Sequence, residues 1–179
     1  MTARGETGPG AAADFRVPPD VLDTTDDADL AWRCIERAYE MVSIHDGPAV
    51  LDAGMARLTA GQRALLALHW IAGEVCNGGF DQFFMNPTGD IAAEALSGFR
   101  RIGATGGSEL MVEVFRAFPG GPPPRDQEWR IAALDALNDD ARDDLFEEFD
   151  DRFYTLMDSE LYPRAAAYVR SHPEEFVRQ

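Results

Sequence analysis

The sequence predicts an all-α protein, folded as a single compact multi-helix bundle around a central hydrophobic helix. From Thr24 onward, apolar residues recur at helical spacing, with capping residues and helix breakers between the segments. No run of alternating apolar and polar residues is long enough to indicate a sheet. One segment, ALLALHWIAG, is apolar on nearly all sides, as expected of a helix at the centre of a bundle.

The N-terminal part is predicted to contain an arm and two helices. Residues 1–22 are rich in Gly, Ala and Pro and show no periodic apolar face, so we expect a disordered or loosely attached arm. Residues 23–179 are expected to form one α-helical domain. Its first helix is predicted over about 26–43, capped by Thr24 or Thr25, and its second runs from Pro48 to just before Leu58.

The central helix is predicted over about 60–77. Thr59 and Gln62 are spaced to form a capping box at its start. Two glycines follow Asn77, and glycine readily takes the left-handed conformation that ends a helix. A short turn is therefore expected over residues 80–85.

The remaining elements follow from the same signals. Ser108 is predicted to cap a helix that ends near Phe118, and the PGGPPPR loop after it cannot be helical. The other predicted helices cover approximately 90–102, 126–137, 140–157 and 163–171.

The composition excludes several functional classes. The chain has 179 residues and a net charge of -16, and all 16 of its basic residues are arginines. Without lysine, neither Schiff-base chemistry nor a P-loop is available. Direct binding of nucleic acid or of a membrane surface is not expected, because both are bound through basic patches. A macromolecular partner is expected to be basic.

The cysteine content indicates a reducing compartment. Cys34 and Cys76 are too few for a disulfide framework, and we expect both to be reduced, buried thiols in a cytoplasmic protein. The chain has neither the apolar core of a secretory signal nor a run of apolar residues long enough to span a bilayer.

The segment 74–86, EVCNGGFDQFFMN, combines a helix stop with aromatic and polar side chains. The aromatic residues can fold back into the core while the polar ones satisfy backbone groups freed at the break. Glu74 faces the negative end of the helix dipole, so it is predicted to accept hydrogen bonds from amides of the following turn, with Gln82 or Asn86 also involved. The predicted structural motif comprises Glu74, Asn77, Gly78, Gly79, Phe80, Gln82 and Asn86.

A catalytic or metal site in this segment is the alternative interpretation. His69 and Glu74 lie about 140° apart around a helix, so they do not share one face. Zinc sites usually need three or four convergent ligands, and no second histidine lies nearby. Cys76 has no base at a suggestive spacing. We therefore predict no catalytic residue, metal or cofactor.

The same segment resembles the hallmark of a bacterial family of helical domains of unknown function, to which a DNA-mimic protein from Neisseria is related. The shared pattern is E-V-x-N-G-G-F-x-Q-F-F-x-N. The preceding helix, the GDIAAEAL segment and the terminal YVRSHPEEF are also similar, so the resemblance covers about 58–176. It implies an all-α fold and, in the Neisseria relative, an acidic surface that occupies the DNA-binding face of a transcription regulator.

The charge is unevenly distributed along the chain. Residues 59–120 carry 6 acidic residues and 4 arginines, whereas residues 121–179 carry 15 and 7. Half of the net charge thus follows the motif, mostly in one predicted helix. Seven carboxylates there fall within about 16.5 Å, roughly one per 2.4 Å, whereas duplex DNA carries one charge per ~1.7 Å of its axis. They are Asp140, Asp143, Asp144, Glu147, Glu148, Asp150 and Asp151.

These seven carboxylates are the predicted partner-binding residues. Arg142 and Arg152 point away from them on a helical wheel, so the face carries one sign of charge. We expect them, with help from the segment 20–29, to compete with DNA for a basic protein such as a transcription regulator, by a non-enzymatic mechanism.

Other interpretations of the acidic helix stay open. Most charge runs are solvated faces, and the aspartates at 139–144 could hold magnesium, although no second metal motif is visible. An interaction or immunity-type module with a partner that does not bind DNA would use the same face. The sequence also leaves a homodimer open.

Overall fold

A computed structural model describes residues 15–178, apart from the side chains of Asp139 and Asp143. The all-α prediction is confirmed: the structure is 77% helical. Across residues 15–178 the only β-type pairing is one parallel bridge between Val17 and Val177. The α-helices are α1 (Asp27–Arg33), α2 (Glu36–Met41), α3 (Pro48–Met55), α4 (Ala60–Met85), α5 (Ala92–Arg101), α6 (Thr105–Ala117), α7 (Gln127–Asp135), α8 (Asp139–Leu156), α9 (Tyr162–Ser171) and α10 (Pro173–Phe176).

Helix α4 is the centre of the bundle and packs against α5, α7, α8 and α10. Its apolar residues are buried on several sides, and Leu66, Ile71 and Val75 are fully inaccessible. The predicted capping box is confirmed. The Thr59 hydroxyl accepts a hydrogen bond from the Gln62 amide, and the Gln62 side chain accepts one from the Thr59 amide, both at 3.1 Å.

Helix α4 does not end where the sequence predicts. The backbone leaves helical geometry at Gly78 and takes φ of 72° at Gly79, but it resumes the helix as far as Met85. The turn predicted over 80–85 is therefore wrong. The helix restarts because the Asp150 carboxylate accepts a hydrogen bond from the Phe80 amide at 2.8 Å, capping the second half of α4 from another helix.

The aromatic residues of the second half of α4 hold it in the core, as predicted. Phe80, Phe83 and Phe84 are fully buried. The Phe80 ring contacts Phe146 and Phe153 of α8, with centroids 6.2 and 5.6 Å apart. Such aromatic pairs stabilise a fold beyond the area that they bury. The kink thus turns the aromatic half of α4 onto α8.

The helix predicted over 26–43 is two helices, α1 and α2, separated at Cys34 and Ile35. The break redirects the chain, since α1 packs against α9 and α2 packs against α4. The predicted cap is also wrong, because Asp26 accepts the hydrogen bond from the Asp29 amide at 2.8 Å.

Further differences concern helix starts in the second half of the chain. Helix α6 begins at Thr105, so Ser108 lies inside its first turn instead of capping it. Glu160 accepts hydrogen bonds from the Gly106 and Gly107 amides at 3.1 and 2.8 Å. A 3-10 turn, Pro87–Ile91, precedes α5, and one turn of π-helix joins α8 to α9.

Part of the segment assigned to the arm packs against the rest of the protein. Phe15 is 3% exposed. The Val17 amide donates to the Phe176 carbonyl at 2.8 Å, and the Arg178 amide donates to the Val17 carbonyl at 2.9 Å. Residues 1–14 of the predicted arm lie outside the described residues. In the part of the chain that the structure covers, no helix combines the length and the apolarity needed to cross a bilayer.

Candidate functional site

The outer face of α8 carries five exposed carboxylates, which we call the acidic stripe. They fall within about 100° of arc at 100° per residue, opposite the buried side of the helix. Phe146 and Phe153 form that buried side, each 2% exposed. The acidic stripe consists of Asp140, Asp144, Glu147, Glu148 and Asp151.

The arginines of α8 form their ion pairs with acids outside the acidic stripe. Arg142 donates to Asp81 of α4 at 2.8 and 3.0 Å and to Asp135 of α7 at 2.8 Å. Arg152 donates to Glu113 of α6 at 2.6 Å. Among residues 15–178, none of the ion pairs includes a member of the acidic stripe.

Asp150 does not belong to this exposed surface, although it was predicted to bind the partner. Its carboxylate turns inward to cap Phe80. Burial raises the pKa of Asp150, the Phe80 hydrogen bond partly opposes that effect, and the charges of Asp151 and Asp81 add to it. Asp150 therefore joins α8 to the kink of α4 and serves the fold.

The other predicted contributors to the acidic face fall into two groups. The Asp143 side chain lies outside the described residues. In the segment 20–29, three aspartates are used internally. Asp26 caps α1, Asp27 forms an ion pair with Arg170 at 2.9 Å, and Asp29 pairs with Arg33 at 2.8 Å. This segment contributes less free negative charge than its composition indicates.

A groove between α6 and α8 widens the acidic face. Its volume is ≈ 430 Å³, and Glu148, Asp151 and Arg152 line the side formed by α8. Glu109 of α6 lines the other side and is exposed. The sequence prediction missed Glu109, because the charge of α6 is sparse and only its packing against α8 brings it to this face.

The predicted Glu74 motif is assembled around a carboxylate. Gln82 Nε2 and Asn86 Nδ2 donate to Glu74 Oε2 at 2.7 and 2.9 Å. Thr88 Oγ1 donates to Glu74 Oε1 at 3.0 Å, and Asn77 Nδ2 donates to Gln82 Oε1 at 3.1 Å. The donors to Glu74 are side chains and not the backbone amides of the following turn.

These polar residues line an open cleft, which we call the Glu74 cleft. Its volume is ≈ 530 Å³, and its polar walls are Glu74, Asn77, Gln82 and Asn86. The cleft is also lined by aromatic side chains that the sequence did not connect to the motif. They are Tyr39 of α2 and His69 and Trp70 of α4, and Gly73 of α4 lines the cleft with them.

His69 is packed among aromatic rings. Its ring centroid lies 4.7 Å from that of Trp32 and 5.2 Å from that of Tyr39. Burial lowers the pKa of His69. The imidazole therefore adds little positive charge to the Glu74 cleft at neutral pH.

The two thiols have different environments. Cys34 is buried, as predicted, and burial raises its pKa to about 12. Cys76 is exposed, which corrects the prediction that both are buried. Its Sγ lies 3.3 Å from the sulfur of Met157, and burial together with the Asp158 charge raises its pKa. Neither environment favours the thiolate that a nucleophile requires.

The described residues contain no group of three or more His, Cys, Asp and Glu side chains that could hold a metal ion.

Comparison with known proteins gives one match. A family model described as DMP19-like protein matches residues 56–172, which include both the Glu74 motif and the acidic stripe. No curated protein and no solved structure matches the chain.

Proposed function

Because the chain belongs to the DMP19-like protein family, the family of the Neisseria DNA mimic, we propose that it is a non-enzymatic binding protein that occupies the DNA-binding surface of a basic protein. The acidic stripe would replace DNA phosphates in that complex. A transcription regulator is the class of partner that this chemistry fits, since such proteins bind phosphates through arginine and lysine.

The observation that carries the proposal is the unpaired charge of the acidic stripe. Its five carboxylates lie within about 16.5 Å along α8, or roughly one charge per 3.3 Å. Phosphates of one DNA strand follow each other at about 3.4 Å. Arg142 and Arg152 form their ion pairs with acids outside the stripe, and Arg152 interacts only at longer range with the charge of Glu148.

A solvated face would normally mix signs of charge. Like charges at i, i+4 repel by a few tenths of a kcal/mol per pair, and Asp140–Asp144 and Glu147–Asp151 are such pairs. The groove beside α6 adds Glu109 to the same negative region. A surface of this kind attracts a basic protein, and the attraction weakens as salt screens the charges.

The experiment is a capture of partners from the native cell extract at low salt, followed by competition with duplex DNA. The stripe variant D140N/D144N/E147Q/D151N should lose the partner. The control variant E36Q/E40Q/D46N/E128Q changes the net charge equally on exposed acids outside α8 and outside the segment 20–29 and should retain it.

The purified partner must bind DNA, and DNA must displace it from this protein. Partners that bind the stripe without binding DNA would contradict mimicry and would favour an interaction or immunity-type module. Equal loss of binding in the stripe and control variants would contradict a specific surface.

A further inference from the structure

We propose that the Glu74 cleft is a binding site for a small organic cation that carries a guanidinium or primary ammonium group, with Glu74 as its counter-ion. This site is separate from the acidic stripe and does not rest on the proposed function. Four features of the cleft support it: its charge, its free acceptors, its aromatic wall and its size.

The charge of the cleft is negative and uncompensated. Glu74 lies in the last turn before the kink of α4, where the helix dipole places additional negative charge. Its three hydrogen-bond donors, Gln82, Asn86 and Thr88, are all neutral. Glu74 takes part in none of the ion pairs found among residues 15–178.

The remaining hydrogen-bonding capacity of the motif is acceptor-rich. The side-chain amides of Asn77, Gln82 and Asn86 each use one of their two N–H donors within the motif. The side-chain oxygens of Asn77 and Asn86 accept no hydrogen bond from the described residues, and both residues line the cleft. Guanidinium and ammonium groups carry several donors and no acceptor, so they match this wall.

Aromatic side chains also line the cleft. Tyr39 is 44% exposed, although its ring is held edge-on against His69 at 5.2 Å between centroids. Trp70 lines the same cleft. Aromatic faces attract organic cations, and the attraction grows as the cation loses water. A carboxylate and aromatic rings in one cleft are the combination expected for a cation that also has an apolar body.

The size of the cleft suits a small molecule. Its volume of ≈ 530 Å³ falls within the range of roughly 300–1,000 Å³ typical of ligand sites. The cleft opens to solvent, so a ligand can enter without unfolding the helices. An arginine side chain of another protein carries the same guanidinium group. A free small molecule and a protein side chain therefore require separate probes.

The test is a titration of the full chain with agmatine. Binding is monitored through the side-chain amide NMR signals of Asn77, Gln82 and Asn86. Agmatine should shift these signals, whereas the uncharged analogue N-(4-hydroxybutyl)urea, which has neither a guanidinium nor an ammonium group, should not. An acetylated, amidated peptide with one arginine is the second probe. Tighter binding of the peptide than of agmatine assigns the cation to a protein side chain, and the reverse assigns it to a free metabolite.

Variants separate this site from the general acidity of the protein. E74Q should weaken agmatine binding by roughly tenfold or more, because it removes the charge-assisted contact. Y39A, at an exposed position, should weaken it by about threefold through loss of the aromatic face. D144N removes the same charge from the acidic stripe and should leave the affinity unchanged.

Three results would overturn the proposal. They are equal shifts with agmatine and its uncharged analogue, wild-type affinity in both E74Q and Y39A, and equal weakening by D144N and E74Q. If E74Q fails to fold, Y39A and the uncharged analogue still decide the outcome. Failure here would leave the proposal for the acidic stripe intact, because that proposal is tested with the stripe variant.

Discussion

Arg130 of α7 forms an ion pair with Asp90, with 2.9 Å between Nη2 and Oδ1, and its side chain is completely buried. The guanidinium also donates to the backbone carbonyls of Phe84, Asn86 and Pro124. One side chain therefore satisfies the end of α4, the 3-10 turn after it and the loop before α7. Gly89 leaves space for it, since a Cβ there would collide with the guanidinium.

Replacing Arg130 with methionine should lower the free energy of unfolding by about 3–5 kcal/mol, because Asp90 and several carbonyls would lose a buried partner. R100M, at an exposed arginine, is the control and should change it by less than about 0.5 kcal/mol. Urea unfolding followed by circular dichroism measures both. A loss below about 1 kcal/mol for R130M would show that this arginine does not organise the region.

Substitutions at Asp150 should separate its hydrogen bond from its charge. D150A removes the acceptor for the Phe80 amide and should lower the free energy of unfolding by about 1–2 kcal/mol. D150N keeps an acceptor and should be as stable as the wild type, or more stable, at pH 7, because burial disfavours the charged form.

The pH dependence of Asp150 follows from its raised pKa. The stability that the protonated Asp150 contributes is complete below its pKa in the unfolded chain, near 3.8. This stability is lost as the pH rises through the pKa of Asp150 in the folded protein. The free energy of unfolding of D150N should therefore increase relative to that of the wild type as the pH rises between these two pKa values. Urea unfolding from pH 4 to 7 tests this, and a constant difference would contradict it.

Glu74→Ala should lower the melting temperature, because Gln82, Asn86 and Thr88 would lose their common acceptor. The expected loss in the free energy of unfolding is about 1–3 kcal/mol, and water that enters the open cleft makes this loss smaller. E109A, at an exposed glutamate in the middle of α6, serves as the control in the same calorimetric measurement. Equal melting temperatures for E74A and the wild type would show that the motif does not stabilise the kink.

Neutralising part of the acidic stripe should stabilise the protein. E147Q/D151N removes an i, i+4 repulsion and weakens repulsion with Asp144 and Glu148, so a gain of about 0.5–1 kcal/mol is expected at low salt. The gain should shrink as salt is added. Chemical unfolding at two salt concentrations measures it. A loss of stability at low salt would mean that these carboxylates have a favourable role in the isolated fold.

The features that the sequence predicted correctly depend on residues close together in the chain. Thr59 and Gln62 cap each other across three positions. Helix α5 ends close to residue 102, the predicted end of that helix, and Gly103 follows it with the left-handed φ of 73° that a helix stop requires. Gln82 and Asn86 were expected as partners of Glu74 because all three belong to one segment. Local signals of this kind require no knowledge of packing.

The errors concern contacts between distant residues. The restart of α4 depends on Asp150, which lies 70 positions after Phe80. The start of α6 depends on Glu160, more than 50 positions later. Asp150 falls beside the acidic face when a helical wheel places the apolar side of α8 on Leu145, Phe149, Phe153 and Leu156. The structure centres it on Phe146 and Phe153, which turns Asp150 inward.

The left-handed glycine at the kink has an evolutionary consequence. Any side chain at position 79 would strain a φ of 72° and collide with the Asp150 carboxylate. Losing that carboxylate would in turn remove the acceptor for the Phe80 amide. Among homologous chains, positions 79 and 150 should therefore vary together, and an alignment would show them as a covarying pair far apart in sequence.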